Sequence, residues 1–105
     1  MTVKLALLKS GETLISDVKE LVNEAEEGTG TETKGYLFVN PKKINLSSPV
    51  FLSEETNQES SVQVSLSTWV LISKDKEYLL PKDWIVTFME PVDKLINMYE
   101  ESLND

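Results

Sequence analysis

The run Val62-Gln63-Val64-Ser65-Leu66-Ser67 constrains this chain most. Its apolar residues recur with a period of two, so an extended backbone puts them all on one face, whereas a helix would scatter them around its axis. This predicts a half-buried strand. Through Trp69-Val70-Leu71-Ile72 the run turns apolar on both faces. The strand is therefore expected to start at a solvent-facing edge and to end covered on both sides, by its own chain or by a neighbour. Lys74-Asp75-Lys76-Glu77 reads as a charged hairpin turn, with Tyr78-Leu79-Leu80 pairing back and Pro81-Lys82-Asp83-Trp84 forming a kink. Ile85–Met89 follows as the last strand, rich in β-favouring residues.

The N-terminal half carries the same signal. Val3, Leu5 and Leu7 oppose Ala6 and Leu8 in a first strand over residues 3–9. Ser10-Gly11-Glu12 interrupts it, and Gly11 can supply the positive φ of a tight hairpin turn. A long second strand starts at Thr13, with Leu14, Ser16, Val18, Glu20 and Val22 on one face and Ile15 and Leu21 on the other. Residues 13–27 also fit helical spacing through Val18, Leu21, Val22 and Ala25; the direct Ser-Gly turn favours the strand. Glu24 to Thr33 holds two glycines, four glutamates and little that is apolar, which predicts an exposed loop. Gly28-Thr29-Gly30 lacks the lysine-serine pair of a phosphate-binding loop and the Asp/Asn alternation of a calcium loop.

Gly35-Tyr36-Leu37-Phe38-Val39 predicts a third strand, expected to stop near Asn40-Pro41 because proline cannot donate to a central ladder. Residues 41–60 then read as a long connection. Lys42-Lys43 is its basic pair, and Pro49-Val50-Phe51-Leu52 is a possible short edge strand. At the C-terminus Val92, Leu95, Ile96, Tyr99 and Leu103 form one apolar stripe of an amphipathic helix over about 91–103. Pro91 suits its first turn and Asp93 its dipole. The stripe is expected to pack on the chain's own barrel in preference to a partner.

The 105 residues suit one domain with a modest core, which oligomerisation commonly supplements. The chain has no cysteine and no histidine. No disulfide framework is indicated, and Ser-His-Asp and Cys-His nucleophile systems cannot be built within one copy. Zinc, copper and haem lose their usual ligands, which leaves oxygen-ligated magnesium or calcium. No carboxylate or Ser-Lys pair stands out by spacing. The expectation is a protein that is not an enzyme and needs no cofactor. The apolar N-terminal stretch is too short for a signal peptide, and no segment approaches a membrane span, so a cytoplasmic location is expected. The net charge of −8 repels phosphate backbones as a whole and confines any nucleic-acid contact to a local patch.

Five strands, the first two joined by a Gly turn and the last preceded by a kink, describe a small, strongly bent antiparallel barrel. Leu7-Leu8-Lys9-Ser10-Gly11-Glu12-Thr13-Leu14-Ile15-Ser16-Asp17-Val18 resembles the first motif of the Sm-like family (Sm, LSm and the bacterial Sm-like RNA chaperone), with Ser16 at the usual glycine of the strand-two bend. Tyr36-Leu37-Phe38-Val39-Asn40-Pro41 resembles the family's third strand, and Lys82-Asp83-Trp84-Ile85-Val86-Thr87 its short second motif. The resemblance covers about 60 residues. Asp83 stands where the family has a histidine or an Arg-Gly pair, and the helix lies at the C-terminus rather than the N-terminus. The acidic loop and long insertion resemble divergent, phage-encoded members.

The resemblance implies a mostly β, five-stranded Sm-like (SH3-like) barrel over about 3–89, with the 41–60 insertion and a C-terminal helix. It implies homo-oligomeric rings paired strand four to strand five, of roughly five to seven copies. Trp69, Val70, Leu71, Ile72, Ile85, Val86 and Phe88 are the expected interface residues. It also implies single-stranded RNA binding at the ring pore through Tyr36, Asn40 and Lys82. A carboxylate at Asp83 repels phosphate, and the acidic charge favours the other reading, a homo-oligomeric scaffold whose acidic surface or C-terminal helix contacts a protein partner.

Overall fold

The computed structural model describes residues 1–24, 31–47 and 63–104. The strands are β1 (Val3–Leu8), β2 (Thr13–Glu24), β3 (Thr31–Ser47), β4 (Gln63–Thr68), β5 (Glu77–Pro81) and β6 (Ile85–Met89). A 3-10 turn, Lys82–Trp84, joins β5 to β6, and one helix, α1 (Asp93–Leu103), ends the chain. The fold is mostly β, an antiparallel sheet in the order β4-β3-β2-β1-β6 with β5 also on β3. Among the described residues no ladder joins β6 back to β4 or β5, so the sheet is open.

The β1–β2 hairpin forms as its sequence predicts. Gly11 sits at φ 94°, its N–H donating to the Leu8 carbonyl at 2.9 Å, and Leu8 N–H donates to the Glu12 carbonyl at 2.9 Å. Residues 13–24 are strand and not helix. The ladder continues through Val22↔Thr33 to Glu24↔Thr31, into the segment predicted to be loop. Backbone pairing needs no apolar side chains, so a two-stranded ribbon can outrun the core that its composition describes.

The larger departure is β3. It does not stop at Asn40-Pro41 but runs on to Ser47 as the shared template of the sheet. Its first half pairs β5, from Gly35↔Pro81 to Val39↔Glu77, and its second half pairs β4, from Lys42↔Thr68 to Ser47↔Gln63. Asn40 and Pro41 occupy the handover between these partners. Asn40 takes φ 54°, a left-handed conformation that asparagine tolerates better than most residues, and its N–H donates to the Lys76 carbonyl at 2.6 Å. Pro41 has no N–H to satisfy, so in the gap between the β5 and β4 ladders, where β3 has no regular outer partner, proline costs nothing. In consequence β5 pairs back on β3 and not on β4. β4 ends at Thr68, and Trp69-Val70-Leu71-Ile72 lie in the 69–76 excursion instead of a doubly covered strand. The edge strand expected at 49–52 lies outside the described residues.

On the opposite side of the handover, the β2–β3 register shifts between Ile15 and Asp17. Ser16, where the family resemblance places a bend, is the irregular residue and is fully buried. Its hydroxyl lies 2.9 Å from the Val39 carbonyl and 3.0 Å from that of Asp17. Tyr99 reaches the same point from α1. Its hydroxyl donates to the Val39 carbonyl at 2.8 Å and accepts from the Asp17 N–H at 3.1 Å. Leu14 and Ile15 are both buried although neighbours on a strand face opposite ways, so the sheet is covered on both sides here.

One face holds the core of Ala6, Leu8, Leu14, Val18, Phe38 and Leu80, with Tyr36, Trp69, Tyr78, Ile85 and Phe88 around it. The helix covers the other. Within the predicted stripe Tyr99 is fully buried, while Val92 is the exposed N-cap and Pro91 precedes the helix.

Two outcomes are expected. Tyr99→Phe should cost about 1–3 kcal/mol in urea unfolding, because the Asp17 N–H and the Val39 carbonyl each lose the Tyr99 hydroxyl as a partner. Burial pushes the Tyr99 phenol above its ordinary value, aided by the Asp17 carboxylate and opposed by hydrogen bonds from the Asp17 backbone and Ser16. A raised phenol means that the unfolded chain ionises first, so this stabilisation is whole below about pH 10 and fades as pH rises through the folded value. The gap between the wild type and Tyr99→Phe should hold from pH 7 to 9 and narrow above 10. Gly35→Ala should also destabilise, by about 1–3 kcal/mol, since its Cβ would sit 2.7 Å from the Leu80 carbonyl oxygen. An unchanged urea midpoint would refute that contact.

Candidate functional site

The handover in β3 creates a cleft of about 360 Å³ between the 69–76 excursion, β3 and the end of α1. Asn40, Pro41 and Lys42 form its β3 wall, Trp69 and Tyr78 its aromatic wall, and Ser73 to Lys76 its rim. The rim is internally braced. Ser73 N–H donates to the Val70 carbonyl at 3.3 Å, Asp75 N–H to the Ser73 hydroxyl at 3.0 Å, and the Tyr78 hydroxyl to the Asp75 carbonyl at 2.9 Å. Trp69 and Tyr78 meet edge to face with centroids 5.4 Å apart. The Trp69 indole N–H is 3.4 Å from Glu12 Oε1, and the other Glu12 oxygen is 3.9 Å from Lys43 Nζ. Adjacent strand residues face opposite ways, so the basic pair divides: Lys43 meets Glu12 while Lys42 lines the cleft.

A second concavity, about 320 Å³, lies on the core side and is lined by Thr2, Lys4, Val18, Glu20, Tyr36 and Phe88. Tyr36 packs edge to face on Phe88 at 4.8 Å, and Phe88 stacks near Phe38 at 6.2 Å. Lys4 pairs with Glu90 at its border.

The three residues expected to bind RNA are therefore not brought together within one chain. Tyr36 opposes Leu80 and lines the second concavity, Asn40 lines the first, and Lys82 stands exposed on the 3-10 turn. The residues expected at an interface divide as well. Ile85 and Phe88 face their own core, because a register shift between Leu7 and Leu8 turns Val86 outward. Val86 is 57% exposed, Leu71 81% and Ile72 97%; Trp69 packs on the core and Val70 is half-buried. Leu79 on β5 is 64% exposed, and Trp84 on the 3-10 turn is exposed too.

Among the described residues no group of three acidic side chains is placed to hold a metal ion. No helix there is long and apolar enough to cross a membrane. The convergence of Lys42 with Lys74 and Lys76 escapes sequence reading, because it depends on β5 pairing with β3 and not with β4. The one available signal was the length of the apolar-polar pattern on both sides of Asn40-Pro41. No protein-family model and no curated protein sequence matches this chain.

Proposed function

We propose that this chain is a cytoplasmic, non-enzymatic Sm-like module that assembles into a homo-oligomeric ring. Copies join edge to edge, β6 of one against β4 or β5 of the next, and the assembly offers its acidic surface to protein partners. The observation that carries this reading is the set of exposed apolar side chains beside unpaired edges. Leu79, Trp84 and Val86 follow β5, the 3-10 turn and β6, and Leu71 and Ile72 stand at the excursion that follows β4. Among the described residues the outer edges of β4, β5 and β6 have no strand partner. An exposed edge with apolar side chains invites another strand, and covering it both pairs the backbone and enlarges a small core. The strand order β4-β3-β2-β1-β6, with a short turn before the last strand, supports the Sm-like part.

Light scattering coupled to gel filtration tests this at micromolar concentration, where a whole multiple of the chain mass is expected. Val86→Asp should shift the particle toward monomer while leaving the fold, read by circular dichroism, in place. A wild-type monomer would overturn the assembly.

A second reading, single-stranded RNA bound at the ring pore, is favoured by Lys82, an exposed cation on a turn that packs against β3. Tyr36, Asn40 and Lys82 would then converge only between copies. Oligo-U or oligo-A binding should weaken with salt along a shallow slope. Absence of binding at low salt by an intact ring rejects RNA and leaves the scaffold.

A further inference from the structure

We infer that the cleft at the β3 handover is an anion site that takes the phosphate of a nucleotide. It belongs to a single chain and stands apart from the question of assembly. Three of the chain's ten basic residues, Lys42, Lys74 and Lys76, line it together with one carboxylate, Asp75. Among the described residues none of these lysines is ion-paired; the two pairs formed there use Lys4 and Lys43. A chain with net charge −8 has acidic partners to spare, yet it gathers three like charges around one concavity. Like charges around one cleft repel, and a bound anion relieves that cost. The gathering is imposed by structure: Asn40 at φ 54° ties β3 to the excursion through Lys76, and the Ser73 and Tyr78 hydroxyls brace the rim.

The size and walls extend the inference from an anion to a nucleotide. About 360 Å³ exceeds the need of a bare phosphate and falls at the lower end of small-molecule sites. Besides the lysines the cleft offers Trp69, Tyr78, Pro41 and Leu103, aromatic and apolar surface suited to a base, and Asn40 lines the same space. Lysine binds phosphate as a point charge and needs no forked geometry. The phosphate can come from a free nucleotide or from a nucleic-acid strand, since both present the same chemistry.

The test compares the wild type with two charge-matched variants of the full chain. One is Lys42→Gln/Lys74→Gln/Lys76→Gln; the other is Lys9→Gln/Lys19→Gln/Lys94→Gln, whose lysines lie outside the cleft. Adenosine monophosphate, inorganic phosphate and adenosine are titrated at low salt by calorimetry, with tryptophan emission as a second readout. The nucleotide should bind the wild type and the control variant alike, more tightly than phosphate or adenosine alone. The cleft variant should lose at least tenfold in affinity while melting normally. No nucleotide binding by the wild type, equal binding by both variants, or adenosine binding as well as its monophosphate would each overturn the assignment. Competition by unphosphorylated oligo-A, lost in the cleft variant, would identify a strand as the source; its absence would identify the free nucleotide.

Discussion

A single hydroxyl, that of Tyr99, sits where the sheet's hydrogen bonding cannot close on itself. Because β3 must pass from β5 to β4, the ladders on either side of Asn40 and Pro41 fall out of step, and the β2–β3 register slips at Ser16. Such a slip leaves backbone groups without strand partners beside the fully buried Ser16 and Tyr99. Their desolvation costs more than a typical hydrogen bond returns, so each needs a substitute. Ser16 and Tyr99 provide it from two directions, one from the strand and one from the helix. The helix is therefore more than a cover for apolar surface. It completes the hydrogen bonding of the sheet, and its position follows from that contact.

The same handover determines what lies around it. Thr68 pairs with Lys42 and Glu77 with Val39, so the eight residues between them lie opposite Asn40 and Pro41 alone and must leave the sheet. Residues 69–76 make that departure, carrying Leu71 and Ile72 into solvent and Lys74 and Lys76 back toward Lys42. The exposed apolar pair and the basic cleft thus share one origin in the pairing arithmetic of β3.

Much of the fold was legible in the sequence, because period-two patterning and turn residues act locally. Gly11 marked its hairpin, and the stripe of α1 was readable down to Tyr99. What failed was non-local. Trp69 to Ile72 looked like a covered strand because four apolar residues in a row carry no information about which strand will pair with them. Pro41 read as a stop because proline forbids a ladder bond; the structure puts it where no bond is required. The site was less legible still. Tyr36, Asn40 and Lys82 stand at positions that a resemblance along the sequence marks, whereas Lys42, Lys74 and Lys76 line one cleft only through topology. A phenol in an apolar stripe likewise gives no sign that its hydroxyl will finish a bulge two strands away.

Charge and apolar exposure act on this molecule over different ranges. Copies of net charge −8 repel one another at distances comparable with the screening length, roughly 8 Å in physiological salt, whereas burial of Val86 or Leu79 acts only at contact. The proposed assembly through these edges would then have to overcome a barrier that salt lowers. Phosphate binding at the lysine cleft would have the opposite dependence, because screening weakens three cations acting on one phosphate. For an open, acidic sheet with apolar edges and a local basic cleft, the proposed self-association and the proposed anion binding would therefore respond to ionic strength in opposite directions. Salt alone would then separate the two proposals, without altering a residue.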